Sequence, residues 1–464
     1  MDYGIFSLLP IVLTLVIVFA TKNVFLALLT GIPVAAIIIG VATGDYLTGL
    51  CSIAEVFADT GTTKTTLFVL MAGGIMSVVS RSGGVEGLVL YCTEKRKMVK
   101  SPIAAQLVSF VLGLLLFVDG TSSIAVTALA GKPFFKKYKV PDEKLALISN
   151  STGSAVAWIV PFGSACAVLT GFYASAAAQL GAVQNPFAVV ISSVVFQFYT
   201  IALLLIILAS IVFRFELGSM RKISRATMDA PSVDYKYDTE LDDRSKIKAS
   251  NILLPIAFLV ASIFALLLYT GKGSISAGDG GTAVFVAGLV TLLLTGIWYC
   301  LRGICTLEKY TAWCMSGMKN MFDITLILVL AYALGSLLST IGTAAFIARY
   351  AQAVPVWLMP AAAFLTATVI AYATGTSGGT AAVTVPVLIP VMVPMGVPAT
   401  YLLGAIISGA VFGDQNSPIS DSVILTSSMT GVPIMRHVKT QQPYTITAWA
   451  VAMLGYLVLG FTCM

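Results

Sequence analysis

Residues 375–379 read GTSGG and residues 412–421 read FGDQNSPISD, and the stretch between them is apolar and rich in proline. Two carboxylates, Asp414 and Asp421, therefore sit in sequence otherwise fit for lipid. A charged side chain near the bilayer midplane costs roughly 2.5 to 3.5 kcal/mol on insertion scales, so acids kept there are candidates for function. Something nearby has to compensate them.

Composition names the solvent. Of the 464 residues, 58% are hydrophobic and 10% charged, too few charges for an ordinary aqueous surface. The chain reads as an integral protein of the plasma or inner membrane, with the lipid bilayer around it. Residues 5–20 are apolar, but only Asp2 precedes them and no basic segment or small-residue cleavage site frames them. They read as a first membrane helix and not as a signal peptide. Seven cysteines without a CxxC pair read as small buried hydrophobes. With His437 the single histidine, a zinc site lacks ligands, and no cofactor is expected.

Apolar stretches of about 20 residues, the length that spans a bilayer, lie near 4–20, 23–43, 65–91, 145–180, 187–213, 251–270, 282–301, 321–348, 401–433 and 443–463. Two more, about 101–131 and about 355–393, carry a Gly-Thr-Ser cluster at their middle. They read as re-entrant hairpins, tolerated only where protein or water surrounds the irregular tip. Under alternation, Lys and Arg gather on one side, in 92–100, 132–144, 214–248, 302–319 and 436–439, with Lys64, Lys272 and Arg349 opposite. By the positive-inside rule the rich side is the cytoplasm. The polar segment 215–250 is then a cytoplasmic linker, and both termini lie outside. The net charge of +6 is a topology signal, and no nucleic acid is expected as a partner.

The linker separates halves 1–214 and 251–464 that look related. Gly120-Thr121-Ser122 recurs as Gly375-Thr376-Ser377 at an offset of 255. From there an offset of 257 pairs Ala125-Val126-Thr127 with Ala382-Val383-Thr384, Val140-Pro141 with Val397-Pro398, Ser151 with Ser408 and Pro161 with Pro418. One constant offset argues for duplication. Each half has an odd number of crossings, so the second enters the membrane upside down. The expected fold is an all-α polytopic membrane protein of two inverted-topology repeats, each of about five transmembrane helices plus one re-entrant hairpin. Paired broken elements in such repeats point to a secondary transporter with its sites near the midplane.

The spans about 145–180 and about 401–433 each hold a central proline, Pro161 and Pro418, among polar residues. Proline removes a backbone hydrogen bond and clashes with the preceding turn, so broken helices are expected at both. A break frees carbonyl oxygens for a hard cation and exposes a half-helix N-terminus to an anion. Candidate ion- and proton-binding residues are Asp414, Asn416, Ser417, Ser420 and Asp421 at the second break, with Gly375, Thr376 and Ser377 at the second tip. Asp119, Thr121 and Ser122 at the first tip, and Asn150 and Ser151 ahead of the first break, complete the set. Trp158, Phe162, Gly163 and Ser164 are candidates for lining an organic-solute pocket, with plain helix packing as the alternative.

The acids are not duplicated: the 257 offset sets Ala157 against Asp414 and Ser164 against Asp421, while Asp119 matches Thr374. Asp414 and Asp421 would lie about 10 Å apart on a continuous helix and closer across a break. Two such acids compete for protons, which permits exchange of H+ for Na+ near neutral pH. Helix capping is the alternative role for Asp421 and Asp119.

Phe412-Gly413-Asp414 through Ser417-Pro418-Ile419-Ser420-Asp421, with the Gly-Thr-Ser tip upstream and the duplicated layout, is similar to the NhaC-type sodium/proton antiporter family of the ion transporter superfamily. That resemblance implies an inverted-repeat fold, a homodimer and elevator-like movement, with Na+ and H+ as coupling ions. It makes Asp414 and Asp421 the cation (Na+) and proton residues, with Thr376, Ser377, Asn416 and Ser420 as neutral oxygens. Many members carry His or another basic group where this chain has Gln415, so the chain departs there from a His-assisted proton step. Similar proteins also exchange sodium or protons against organic acids or move amino acids, so coupled transport of a small organic solute is the second expectation. An enzyme is not expected: Gly375-Thr376-Ser377-Gly378 matches a serine-nucleophile pattern, but such a serine needs a base in reach, and His437 is expected in a cytoplasmic loop. A passive channel would favour a continuous polar file over two opposed tips.

Overall fold

The computed structural model describes residues 3–21, 23–44, 46–55, 58, 60–91, 100–118, 120–161, 163–180, 185–228, 243–273, 278–343, 346, 355–418 and 420–463. Among these every regular element is a helix. Helices begin where a short polar side chain can accept from an otherwise unpaired N–H of the first turn: Asn23 from Leu26, Ser101 from Ala104, Asp279 from Thr282, Thr306 from Lys309. Five helices are each long and apolar enough to cross a membrane, Phe25–Thr43, Ser250–Thr270, Gly281–Leu301, Val356–Thr374 and Ile434–Thr462. The number rises to eight if each of three bent pairs is one span. The chain is a multi-pass membrane protein.

Two helix–turn–helix units organise the centre, Pro102–Leu115 with Gly120–Lys137 and Met359–Thr374 with Ser377–Met392. The first packs on Asp142–Ile159 and the second on Ala399–Asn416. The trailing arms also cross over, Gly120–Lys137 against Asp421–Thr430 and Ser377–Met392 against Ser164–Gln179. Each unit thus touches the leading part of its own broken helix and the trailing part of the other one.

Close backbone approach fixes one of these contacts. A Cβ on Gly409 would lie 2.2 Å from the Phe364 carbonyl oxygen, and one on Gly413 2.5 Å from that of Thr368. Small residues four apart on one helix face let backbones meet where lipid offers no hydrophobic drive for association. Gly413→Val is therefore expected to push Ala399–Asn416 off Met359–Thr374 at a cost of about 1–3 kcal/mol, as overpacking does. Thermal unfolding of the detergent-solubilised protein checks this, and an unchanged midpoint would count against the tight crossing.

The first turn of Asp142–Ile159 is pinned by three consecutive charges. Asp142 pairs with Lys136 at 2.7 Å, Glu143 with Arg436 at 2.6 Å and Lys144 with Glu216 at 2.9 Å. Lys144 is fully buried and also donates to Ser210 at 2.8 Å, with the Tyr444 ring 5.0 Å from its nitrogen.

The structure departs from the sequence reading in four places. Residues 187–213 do not form one continuous helix: Pro186–Phe196 and Phe198–Val212 meet at 48° around Gln197. Tyr456 donates to the Phe196 carbonyl at 2.7 Å, and Ser408 accepts from the Tyr199 N–H at 3.3 Å, so tertiary partners satisfy that kink without a proline. Residues 307–320, expected in a charged loop, form a helix with Tyr310, Trp313 and Cys314 buried. Residues 436–439, also expected in a loop, belong to the single helix Ile434–Cys463, in which His437 is fully buried. Charge density alone had marked both as solvated, but their apolar faces have helices to pack on. Among the cysteines, Cys166, Cys305 and Cys314 are buried as expected and Cys51 is exposed.

Candidate functional site

The second break separates Ala399–Asn416 from Asp421–Thr430. Asp414, only 6% exposed, lies in the last turn before it. Its Oδ1 accepts from the Ser420 hydroxyl and, at 3.1 Å, from the Ser422 hydroxyl. The Ser420 oxygen accepts in turn from the backbone N–H groups of Ser422 at 3.2 Å and Val423 at 3.4 Å. The carboxylate is thereby docked, through one serine, onto the N-terminus of a half-helix, where unpaired N–H groups and the helix dipole compensate negative charge. Ser417 is fully buried in the break and its hydroxyl makes no hydrogen bond.

At the second tip, Gly375 takes a left-handed conformation (φ +71°) that only glycine adopts without strain, ending Met359–Thr374. Thr376 then caps Ser377–Met392 by accepting from the Gly379 N–H. Thr376 and Ser377 are half-buried. Their hydroxyls stand at the start of a helix, as the Ser420 hydroxyl does.

The first break, between Ile159 and Ser164, bends its helices by 44°. The turn after Pro102–Leu115 sits directly on it: the Ser164 N–H donates to the Val118 carbonyl at 2.8 Å, and a Cβ on Gly163 would fall 2.5 Å from the Phe117 oxygen. Trp158 is 5% exposed and packs within the continuous apolar core. Ser164 is buried, and Ser151 is fully buried with no hydrogen bond to its hydroxyl. Asn150 spends its whole amide inside the protein, Oδ1 accepting from Ser154 at 3.1 Å and Nδ2 donating to His437 Nε2 at 3.3 Å and Gln441 Oε1 at 3.2 Å. Asp119 and Phe162 lie outside the described residues, as do the side chains of Thr121, Ser122 and Asp421.

Sequence reasoning missed a set of polar residues that hold Gln415 and Asn416, the two residues after Asp414. Tyr199 donates to Gln415 Oε1 at 2.5 Å, Gln415 Nε2 to the Asn150 carbonyl at 3.4 Å, Gln441 Nε2 to the Gln415 carbonyl, and the Thr445 hydroxyl to Asn416 Oδ1 at 2.8 Å. His437, Gln441 and Thr445 stand four apart, hence on one face of their helix. All three are fully buried. The stripe was visible in the sequence, but its first members were counted into a loop. His437 Nδ1 has no hydrogen bond and Nε2 meets Asn150, so the imidazole serves no serine as a base. Among the described residues no three His, Cys, Asp or Glu side chains gather to hold a metal. Among the described side chains, the second break offers a cation the Asp414 carboxylate beside neutral oxygens, a donor set suited to a hard ion.

The architecture is that of known membrane transporters. The structure of the Alcanivorax borkumensis YdaH transporter superposes with a TM-score of 0.64 over 89% of this chain and 89% of that one, at 16% identity. The model of the Na+/H+ antiporter family matches residues 167–461, and the chain belongs to that family of secondary antiporters. An uncharacterised protein of Haemophilus influenzae is 25% identical over 99% of this chain and 91% of its own length. The malate-2H+/Na+-lactate antiporter of Bacillus subtilis is 32% identical over 100 residues, 22% of this chain and 21% of that protein.

Proposed function

We propose that the chain exchanges Na+ for H+ across the plasma or inner membrane by alternating access, with Asp414 taking the two ions in turn. The docking of the buried Asp414 carboxylate onto Ser420, Ser422 and a half-helix N-terminus carries this reading. Na+ and H+ compete for an acid held there, because either can neutralise the buried carboxylate. Ser417, Asn416 and Ser420, with Thr376 and Ser377 from the Gly375 tip, supply neutral oxygens, and Asp421 the second acid. Asp119, Thr121, Ser122 and Ser151 complete the set from the first half, with Thr121 and Ser122 the counterparts of Thr376 and Ser377. Residues 1–214 and 251–464 act as inverted repeats joined by a cytoplasmic linker, 215–250, with both termini outside. The crosswise packing of the two helix–turn–helix units supports that division. Elevator-like movement within a homodimer is the form of alternating access proposed.

A second reading, coupled transport of a small organic solute such as an organic acid or amino acid, is favoured by the Bacillus subtilis relative, which joins Na+ and H+ to malate and lactate in its name. Trp158, Phe162, Gly163 and Ser164 are the residues it would use. Reconstitution into liposomes with a luminal pH dye separates the two. Sodium added outside is expected to make the lumen alkaline with no organic solute present. Sodium-dependent solute uptake, with no proton movement when solute is absent, would replace the first reading by the second.

A further inference from the structure

Both breaks leave the same backbone atom in need of a partner. Trp158 and Gln415 are each the penultimate residue of the leading helix, Asp142–Ile159 and Ala399–Asn416, and they correspond at the 257 offset. Carbonyls in the last turn of a helix have no intrahelical donor, and in a buried break water does not reach them. The Trp158 carbonyl accepts from Gln197 Nε2 at 3.0 Å, and the Gln415 carbonyl accepts from Gln441 Nε2. Both glutamines are fully buried. In each, a second donor holds the other end of the amide: Thr200 gives its hydroxyl to Gln197 Oε1 at 3.2 Å, and Asn150 gives Nδ2 to Gln441 Oε1 at 3.2 Å. That donor fixes which end of the amide faces the carbonyl. Gln197 and Gln441 are not related by the 257 offset, which would carry 197 to Leu454. The correspondence is one of geometry: the kink at Gln197 and the helix Ile434–Cys463, each following a broken helix, send a glutamine to the equivalent carbonyl.

We infer that Gln197 and Gln441 are matched positioning residues of the two breaks, and that Gln441, with Thr445, sets the sodium affinity of the Asp414 site. The inference rests on the reading of Asp414 as the cation residue. Asp414 belongs to the last turn, and the two residues after it are held from the neighbouring helix, Gln415 by Gln441 at its carbonyl and Asn416 by Thr445 at Oδ1. With either hold released, that turn relaxes, and the carboxylate loses its fixed aim at Ser420 and Ser422.

The test measures sodium KM and maximal rate in liposomes for Gln441→Leu, Thr445→Val and Thr445→Ser beside Asp414→Asn. Each removal is expected to raise sodium KM by about tenfold, the worth of one buried hydrogen bond, with the maximal rate little changed, and Thr445→Ser is expected to restore it. Should Gln441→Leu fail to fold, the two Thr445 variants decide the matter. Lower yield or rate at unchanged KM would reduce the residues to structural supports and overturn the inference. If Asp414→Asn keeps its sodium dependence, the cation reading itself fails. If Asp414→Asn is inactive while the other variants keep wild-type KM, the positioning role alone fails.

Discussion

Asp414→Asn is expected to bring sodium-driven proton movement down to the level of protein-free liposomes. Asparagine keeps the size and one oxygen but loses the charge, and with it the competition between Na+ and H+ for one site. The fold should survive, because the Asn oxygen can still accept from Ser420 and Ser422 as Asp414 Oδ1 does. Removing the carboxylate also relieves the cost of a charge in an apolar setting. The measurement is therefore read with a thermal melt of the same preparation: a normal melt with no transport assigns the acid to coupling, and retained coupling would remove Asp414 from the site. If the cargo is an organic solute, sodium-dependent solute uptake should be lost in the same variant, since both readings draw on the same sodium site.

Glu216→Leu is expected to give the largest loss of stability. Lys144 has no exposed surface, while Glu216 keeps 19% of its side chain accessible. Without Glu216, the ammonium group is left with the Ser210 and Tyr444 hydroxyls only. Removing one partner of a buried pair costs about 3–5 kcal/mol, because the other charge stays buried, whereas replacing both by apolar residues is often neutral. The double variant Lys144→Met with Glu216→Leu should therefore recover most of the lost stability in thermal unfolding. Equal instability of the single and double variants would show that the charge itself is not the cause.

The parts of this site that were legible in sequence share one property: their chemistry is local. Pro161 and Pro418 announce broken helices because proline lacks an N–H, and Gly375 announces the turn because of its backbone freedom. Asp414 stood out because a carboxylate in apolar sequence is costly wherever it points. The kink at Gln197 gave no such signal, because Tyr456 and Ser408, far away in the chain, satisfy the groups it frees. His437, Gln441 and Thr445 were legible as a periodic stripe but lay next to Arg436 and Lys439, whose charges pulled the region into a loop. Arg436 is half-exposed and reaches Glu143, so the charge sits at a helix end while the ring one residue later is buried.

The sequence by itself determined that the chain lives in a membrane, that its helices break at two prolines and that Asp414 and Asp421 have no acid at the matching first-half positions. Those conclusions follow from transfer costs and backbone restrictions carried by each residue wherever it is placed. Tertiary structure decided what the acid faces: the Ser420 hydroxyl on a half-helix N-terminus, with glutamines from neighbouring helices closing the carbonyls that each break leaves open. A freed carbonyl states that it needs a donor, but only packing brings a particular side chain within hydrogen-bond reach.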